Sequence, residues 1–273
     1  MVLPFPGDEA DLQRVAVDGT TQNIFSPGDG KQHWVYVGVC IPQMFLALRA
    51  FFLALSDRLK EHPILWEKLR LHFIGTSYAP KGSAKKIVLP LAEEFGLGDL
   101  VTESTDRIPY SQTLRCLLDA DALIVPGSDD PGYTASKIYP YLLAGKPLLA
   151  VFHENSSVVS LLKKVGGGVC VPFKTGETAA EIAGHIGQSW FASSPKDHGP
   201  RTTDNETKDQ LSSLSALRFA TTDNLPPAIP LDRAAFEPHT ACVQARMLAE
   251  FFLETLKNQA LKNSKAGRCN GVK

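Results

Sequence analysis

Two short apolar runs near the middle of the chain constrain the fold more than any other feature. Residues 122–125 read Ala-Leu-Ile-Val and residues 148–151 read Leu-Leu-Ala-Val, without a polar side chain. Such runs are typical of parallel strands that other elements cover on both faces. Each run ends in a polar loop, and the segment between the runs has a helical pattern. The region therefore predicts a strand–helix–strand unit of a parallel sheet.

The same alternation of strand and helix patterns extends over most of the chain. It predicts an α/β protein with a Rossmann-like, doubly wound parallel sheet of about six strands. The predicted strands span residues 34–39, 70–75, 99–102, 122–126, 147–152 and 168–172. The predicted helices span residues 43–59, 83–95, 110–118, 134–143, 156–164 and 177–189.

The loops after the two apolar runs are the first candidates for a binding site. Ligands of open parallel sheets bind outside the carboxyl ends of the strands, which is where residues 127–130 and 153–156 are expected. Thr134 is predicted to cap one of the following helices, and Asn155 or Ser156 to cap the next. A capped helix N-terminus offers free backbone N–H groups, so each loop can bind an anion such as phosphate or be an ordinary cap.

Lys137 adds a positive charge to this edge of the sheet. In the first turn of a helix a cation is unfavourable to the helix dipole, so its presence asks for a neighbouring anion. Either Asp129 or Asp130 supplies that anion from within the chain, or a ligand phosphate does. Two polar loops beside each other, together with this lysine, favour a phosphate-bearing ligand. Pro140 in the same helical run predicts a kink that leaves a polar notch.

A longer pattern surrounds Lys137. Asp129-Asp130 forms an acidic loop, residues 134–143 form a helical run, and Ala144-Gly145-Lys146-Pro147 follows. This order resembles the donor-binding, C-terminal domain of GT-B fold glycosyltransferases, in particular the family-4-like enzymes (glycosyl transferase group 1) and a bacterial subgroup of them. Val35-Tyr36-Val37-Gly38 resembles the strand and glycine that open that domain, and residues 71–76 resemble its second strand. The resemblance covers roughly residues 33–172 and implies the C-terminal half of a GT-B architecture.

Enzymes of this kind transfer a sugar from a nucleoside diphosphate sugar to an acceptor hydroxyl. The resemblance therefore implies a retaining hexosyltransferase that needs no metal and no other cofactor. The candidate catalytic residues are Lys137, Asp129 and Asp130. Lys137 is expected to offset the charge of the leaving diphosphate, and the two aspartates either bind a donor hydroxyl or only begin the turn before Pro131-Gly132. The donor-binding residues that it implies are Gly38, Gly75, Thr76, Arg107, Ile108, Tyr110, Tyr133, Thr134, Ser136 and Lys137.

The chain also departs from the pattern of these enzymes. Two glutamates usually flank the entry to the helix, the second holding the donor ribose, and Gly132 and Pro140 stand at those positions. The basic residue that usually follows the first glycine is absent after Gly38. A non-catalytic nucleotide- or effector-binding domain on the same fold is therefore the alternative. A phosphosugar isomerase or epimerase, which shares the sheet and the cleft, ranks last.

The pattern divides the chain into five segments. Residues 1–32 contain Leu3-Pro4-Phe5-Pro6, which resembles the hinge that enters the donor domain, and are interpreted as the linker remnant of a missing N-terminal acceptor domain. The acceptor domain is expected from that missing part or from a partner chain, because a two-domain enzyme normally needs more than 273 residues. The other segments are a nucleotide-sugar-binding Rossmann-like domain at 33–191, a flexible loop at 192–239, a closing amphipathic helix at 240–258 and a disordered tail at 259–273.

Composition and charge disfavour several other classes of protein. A net charge of −1 without a basic stripe argues against nucleic-acid binding. The five cysteines are scattered without metal-ligand spacing, which favours a reducing cytoplasm over a disulfide framework or a zinc site. Residues 1–11 lack the pattern of a secretion signal, and the most apolar segment, 44–55, contains Arg49 and is too short to span a bilayer. Without a Gly-x-Ser-x-Gly sequence, hydrolase chemistry is not supported.

Overall fold

The computed structural model, which describes residues 7–191 and 228–269, contains six strands. They are β1 (Gln32–Val37), β2 (Leu69–Ile74), β3 (Val101–Ser104), β4 (Ala122–Pro126), β5 (Leu148–His153) and β6 (Val169–Phe173). All neighbours pair in parallel, in the order β3-β2-β1-β4-β5-β6. The chain thus builds one half of the sheet outward from β1 and then returns to build the other half from β4. This is the doubly wound arrangement that the sequence predicts.

Helices connect successive strands and cover both faces of the sheet. The predicted α/β class and the predicted strands are confirmed, apart from small shifts of the strand ends. The helices of the described part of the chain are α1 (Glu9–Val17), α2 (Phe45–Glu61), α3 (Pro63–Trp66), α4 (Val88–Glu93), α5 (Tyr110–Asp119), α6 (Ile138–Leu143), α7 (Ser157–Val165), α8 (Ala179–Ser189), α9 (Arg233–Phe236) and α10 (Ala241–Cys269).

Each face of the sheet has its own hydrophobic core, because side chains alternate across a strand. Trp34 and Tyr36 of β1 enter the cluster beneath α2, α4 and α8. Val35 and Val37 enter the cluster beneath α1, α5, α6 and α7. Trp34 makes edge-to-face contacts with two further tryptophans, each at a centroid distance of 5.7 Å. Burial on both faces is the reason why these strands are continuous apolar runs in the sequence.

Strands β1 and β4 separate before they end. Val35 and Leu123 are their last paired residues, although β1 continues to Val37 and β4 to Pro126. The hydroxyl of Tyr141, from α6, accepts the N–H of Val37 at 2.6 Å and donates to its carbonyl oxygen at 3.1 Å. Because the strand order reverses between β1 and β4, this separation opens a crevice at the carboxyl edge of the sheet.

The helix predicted over 134–143 begins later, at Ile138, because residues 134–137 are irregular. Pro140 therefore lies in the first turn of α6, where a missing N–H costs no helical hydrogen bond. The carbonyl oxygen of Ser136 accepts a backbone N–H at 3.4 Å and is not freed. The kink predicted at Pro140 inside a helix over 134–143 is therefore wrong.

A helix that the sequence interpretation missed lies within the predicted hinge segment, 1–32. The carboxylate of Asp8 caps α1 by accepting a backbone N–H at 2.9 Å. Leu12 and Val15 of α1 are buried in the core that α5 shares. The sequence carries a signal for this helix, since an aspartate cap followed by acidic residues is a common helix start. Leu3-Pro4-Phe5-Pro6 lies outside the described residues.

The segment 192–239, predicted as a flexible loop, is described only from residue 228 onward. That part is not a simple loop, because it contains α9 and the 3₁₀ turn Glu237–His239. The closing helix predicted over 240–258 is α10, which continues to Cys269 into the predicted disordered tail. This tail is rich in good helix formers and lacks proline, which explains the longer helix. None of the helices in the described part of the chain has the length and hydrophobicity needed to cross a membrane.

Two buried histidines pair between β1 and β2. Nδ1 of His33 lies 2.9 Å from Nε2 of His72, and Nε2 of His33 lies 3.1 Å from a carboxylate oxygen of Asp29. Phe25 stacks on both imidazoles. Nδ1 of His72 is buried without a hydrogen-bond partner among the described residues. Burial, followed by the neighbouring imidazole of His33, lowers the pKa of His72 to about 4.

We expect the protein to lose stability as the pH falls from 6.5 towards 4. In this range the unfolded chain binds a proton at His72 that the folded chain excludes, so this contribution is complete above pH 6.5. A pKa lowered from 6.5 to about 4 corresponds to about 3 kcal/mol in the free energy of unfolding. Urea unfolding at several pH values should show that the free energy of unfolding declines with falling pH, and that this decline is smaller in His72→Leu.

His185→Leu, which changes an exposed histidine of α8, is the control and should show the full decline. A full decline in His72→Leu as well would show this explanation to be wrong.

Candidate functional site

A cavity of about 470 Å³ opens at the carboxyl edge of the sheet, where β1 and β4 separate. Gly38 and Gly75, which follow β1 and β2, belong to its lining. The first turn of α5 and the loop before it contribute a second part of the lining, and the irregular segment before α6 contributes a third. The cavity therefore occupies the place where ligands of doubly wound sheets bind.

Most of the predicted donor-binding residues meet in this cavity, although they are far apart in the chain. Thr134 lines it from the irregular segment and is not the helix cap that the sequence predicts. Thr76 is buried outside the lining, and its hydroxyl donates to the carboxylate of Glu103 at 2.6 Å. The predicted residues that line the cavity are Gly38, Gly75, Arg107, Ile108, Tyr110, Tyr133, Thr134, Ser136 and Lys137.

Lys137 brings a positive charge into the cavity. Its ammonium donates a hydrogen bond to the hydroxyl of Tyr36 and lies 4.4 Å from the centroid of the Tyr36 ring. Both contacts favour a cation. The hydroxyl of Tyr36 in turn donates to the carbonyl oxygen of Val39 at 2.8 Å. Because Tyr36 is fully buried in β1, it is a rigid support for the lysine.

Among the ion pairs of the described residues, none includes Lys137. Asp129 and Asp130, the predicted internal anions, are exposed and lie outside the cavity lining. The carboxylate of Asp130 instead accepts the N–H of Gly132 at 2.9 Å and stabilises the turn. Burial lowers the pKa of Lys137 to about 8. A desolvated ammonium without a carboxylate partner is a strong position for binding an anionic ligand.

Gly38 leaves the space that Lys137 occupies. Its φ of 152° lies in the region that favours glycine. A Cβ atom at this position would lie 2.5 Å from Nζ of Lys137 and 3.3 Å from the hydroxyl oxygen of Tyr36. Glycine is therefore required after β1 for two reasons: the backbone conformation favours it, and a side chain would prevent the close approach of the lysine.

Aromatic side chains form much of the cavity rim. Tyr78 is 77% exposed and Tyr110 is 58% exposed. The guanidinium of Arg107 lies 5.7 Å from the ring centroid of Tyr78. Exposed, flat side chains of this kind can stack on a planar ligand group. Burial, followed by the carboxylates of Asp11 and Asp8, raises the pKa of Tyr110, so its hydroxyl stays neutral at physiological pH.

The second predicted loop, 153–156, does not line the cavity. Ser156 caps α7 as predicted, since its hydroxyl oxygen accepts the N–H of Val158 at 3.2 Å. His153 is buried, and its Nε2 lies 2.9 Å from the hydroxyl oxygen of Thr175. Of the two interpretations of this loop, the ordinary helix cap is therefore the one that its contacts support.

Glu103 is a supporting residue of the site that the sequence interpretation did not single out. Its carboxylate accepts the hydroxyl of Thr76 and three backbone N–H groups at the start of α4, the latter at 3.2, 2.9 and 2.8 Å. The segment that it holds connects β2 to α4 and includes Tyr78 of the rim. The only signal in the sequence is a charged residue within a strand pattern, Val-Thr-Glu-Ser.

The lining that the described residues give to the cavity contains no aspartate or glutamate. Gly132 lies in an exposed turn and Pro140 lies within α6, at the positions where the resembled enzymes carry glutamates. Hydroxyl groups are present instead, on Tyr110, Thr113 and Thr134 among others. The site can therefore bind an anion, a planar group and several hydroxyls, and the described residues that line it supply no carboxylate for acid–base chemistry.

Solved structures with a similar fold include a glycosyltransferase and two trehalose-phosphate synthases. A glycosyltransferase from Rickettsia africae is 13% identical, with a TM-score of 0.56 over 94% of this chain and 57% of that one. A UDP-forming alpha,alpha-trehalose-phosphate synthase from Burkholderia xenovorans is 10% identical, with a TM-score of 0.50 over 90% of this chain and 50% of that one. A trehalose-6-phosphate synthase is 13% identical, with a TM-score of 0.51 over 94% and 50% of the two chains.

These similarities show the fold, which is that of the C-terminal half of the GT-B architecture predicted from the sequence. The chain spans about half the length of the structures that it matches. No family model matches the sequence, and no curated protein matches it.

Proposed function

We propose that the cavity binds a nucleoside diphosphate sugar, and that the chain is the donor domain of a hexosyltransferase. The observation that carries this proposal is the desolvated ammonium of Lys137, which has no carboxylate partner among the described residues and lies where the strand order reverses. A diphosphate supplies the negative charge that this position lacks. The structures of similar fold are named as a glycosyltransferase and two trehalose-phosphate synthases, which supports the same class of reaction.

In this proposal the diphosphate lies against Lys137, and the base packs on the rim beside Arg107 and Tyr110. When the bond between the sugar and the diphosphate breaks, negative charge grows on the leaving phosphate. Lys137 stabilises that charge in a site of reduced water access. Retention of configuration and independence from metal ions complete the proposal, as the sequence resemblance implies. Asp129 and Asp130, outside the cavity lining, are proposed to contact sugar hydroxyls.

We propose that the acceptor half of the site comes from an N-terminal domain or from a partner chain. The chain spans about half of each matching structure, and the described part of the cavity has no carboxylate that could act as a base on an acceptor hydroxyl. The complete reaction therefore needs groups beyond those that the described residues contribute to this cavity.

A non-catalytic nucleotide- or effector-binding domain is the second candidate. The observation that favours it is Pro140 in the first turn of α6, where the resembled enzymes hold the ribose with a glutamate. Without that carboxylate the ribose has fewer hydrogen-bond partners. The two candidates differ in whether a bound sugar conjugate is ever cleaved.

Calorimetric titration with UDP, GDP, ADP and dTDP, and with their sugar conjugates, tests the proposed function. We expect saturable binding of one of the four nucleoside diphosphates, and this result identifies the base. Slow release of free sugar from the bound conjugate would favour the transferase over the effector domain. Binding of none of these compounds would contradict the proposal.

We expect Gly38→Ala to weaken the binding of that nucleoside diphosphate about tenfold, or by about 1.4 kcal/mol. The added Cβ would meet Nζ of Lys137 at 2.5 Å and displace the ammonium from its support. Gly132→Ala is the matched control, because a Cβ there approaches only a carboxylate oxygen of Asp130, at 3.4 Å. Equal affinities of the Gly38→Ala protein and the control would show that this approach does not matter for binding.

A further inference from the structure

Within the described part of the chain, Tyr36 is the one residue that both accepts a hydrogen bond from the ammonium of Lys137 and has its ring centroid 4.4 Å from that nitrogen. We infer that Tyr36 is a positioning residue, which fixes the charge of Lys137 inside the cavity and sets the pH above which the cavity loses that charge. This inference rests on the proposed function, because the charge is assigned there to the binding of a diphosphate. Tyr36 does not line the cavity, so it acts through Lys137 and not on the ligand itself.

The hydrogen bonds of Tyr36 fix the direction of the contact. A phenol has one hydrogen to donate, and the hydroxyl of Tyr36 gives it to the carbonyl oxygen of Val39 at 2.8 Å. Its oxygen is therefore left as an acceptor and faces the ammonium of Lys137. The centroid of the same ring lies 4.4 Å from Nζ. When Lys137 gives up its proton, the hydrogen bond loses its charge assistance and weakens.

The groups around Lys137 leave it as the one that titrates near neutral pH. Burial raises the pKa of the Cys40 thiol to about 12 and raises the pKa of Tyr36 well above 10. Burial also raises the pKa values of Tyr133 and Tyr141, the two tyrosines that interact with Tyr36. The carboxylate of Glu103, whose charge also raises the pKa of the Cys40 thiol, accepts four hydrogen bonds. A pH-dependent change of charge between pH 6 and pH 9 in this part of the cavity therefore reports on Lys137.

The experiment compares the wild-type chain with Tyr36→Phe and with Tyr141→Phe as a matched control. Tyr141 is also a buried tyrosine on the β1 side of the site, but its hydroxyl bonds to the backbone of Val37 and not to Lys137. The first readout is the rate at which acetic anhydride acetylates Lys137 at each pH, measured by mass spectrometry without any ligand. The second readout is the affinity for inorganic pyrophosphate at each pH, measured by calorimetry.

We expect Tyr36→Phe to move the midpoint of Lys137 acetylation downward by about one pH unit, because the ammonium loses its acceptor. Pyrophosphate binding at neutral pH should weaken severalfold in this variant, since a downward shift of about one pH unit leaves a part of Lys137 uncharged and the ammonium is no longer held in the cavity. The midpoint should stay unchanged in Tyr141→Phe, whatever that change costs in stability. A midpoint in Tyr36→Phe equal to that of the wild type would overturn the inference.

Two further results test the role of Tyr36 independently of the folding of a variant and independently of the proposed function. In the wild-type chain, the ¹³Cζ resonance of Tyr36 should shift with the same midpoint as Lys137 acetylation, and a resonance that does not move between pH 6 and pH 9 would overturn the inference without any variant. Failure of the wild-type chain to bind pyrophosphate or any nucleoside diphosphate would contradict the proposed function. The acetylation midpoints would still decide whether Tyr36 positions Lys137.

Discussion

Replacement of Lys137 by methionine is expected to weaken nucleoside diphosphate binding about 100-fold. The variant keeps most of the length of the side chain and removes the charge, so the diphosphate loses its charge-assisted hydrogen bonds, worth about 3 kcal/mol. Calorimetric titration at pH 7 measures the change. Lys146→Met is the matched control, because burial also lowers the pKa of Lys146 while this lysine lies outside the cavity lining. Equal affinities of the two variants would contradict the role of Lys137.

The same variant should be more stable than the wild type in the absence of ligand. Burial lowers the pKa of Lys137 from 10.5 to about 8, so at neutral pH the folded chain carries an ammonium that it disfavours. This cost is present in full below pH 8 and disappears as the pH rises to 10.5, where the unfolded chain also loses its proton. Lys137→Met removes the cost and should raise the free energy of unfolding by up to about 3 kcal/mol.

Urea unfolding without ligand checks this expectation. Higher stability together with lost binding is the pattern of a residue retained for function at the expense of stability. Lower stability of Lys137→Met would instead show that the contacts with Tyr36 outweigh desolvation, and that Lys137 has a structural role.

Replacement of Glu103 by alanine is expected to lower the free energy of unfolding by about 4 kcal/mol. The buried carboxylate accepts one hydroxyl and three backbone N–H groups, which the variant leaves without partners inside the protein. Each unsatisfied buried donor costs roughly 1–3 kcal/mol before relaxation and entry of water reduce the sum. The segment from β2 to α4 should loosen with it, and hydrogen exchange of the amides at the start of α4 should become faster.

Glu94→Ala provides the comparison for Glu103→Ala. Glu94 is paired with Arg49 at the surface, at 2.6 Å, and such exposed pairs contribute about 0–1 kcal/mol. Glu103→Gln should lie between the two, because it keeps one acceptor oxygen. A loss in Glu103→Ala as small as that in Glu94→Ala would show that the four hydrogen bonds do not hold this segment.

The sheet could be predicted from the sequence because its signals are local. Runs such as 122–125 and 148–151 are apolar throughout, since both faces of the sheet are covered, and the turns that follow them are polar. The start of α6 could not be predicted in the same way. Thr134 is a good cap by type, but three further residues pass before the helix begins at Ile138, and Pro140 then lies in the first turn. Contacts that form only in the folded chain decide that boundary.

The composition of the site was partly predictable. Glycines at the ends of β1 and β2, and Lys137 after an apolar strand, follow from the rule that ligands bind at the carboxyl edge. The contacts that hold the side chain of Lys137 could not be predicted from this rule. Tyr36 and Lys137 are separated by 101 residues, as Val37 and Tyr141 are by 104, and they meet only because β1 and β4 are neighbours that separate early. Asp129 and Asp130 are predicted as site residues from their carboxylate side chains alone, and neither lines the cavity.

The most direct test of the central claim is a crystal structure of the chain soaked separately with UDP, GDP, ADP and dTDP. We expect one of them to occupy the cavity beside the separated ends of β1 and β4. Its diphosphate should lie within hydrogen-bonding distance, about 3 Å, of Nζ of Lys137. A nucleotide bound elsewhere, or bound in the cavity with its diphosphate away from Lys137, would show that this cavity is not a diphosphate site built around Lys137.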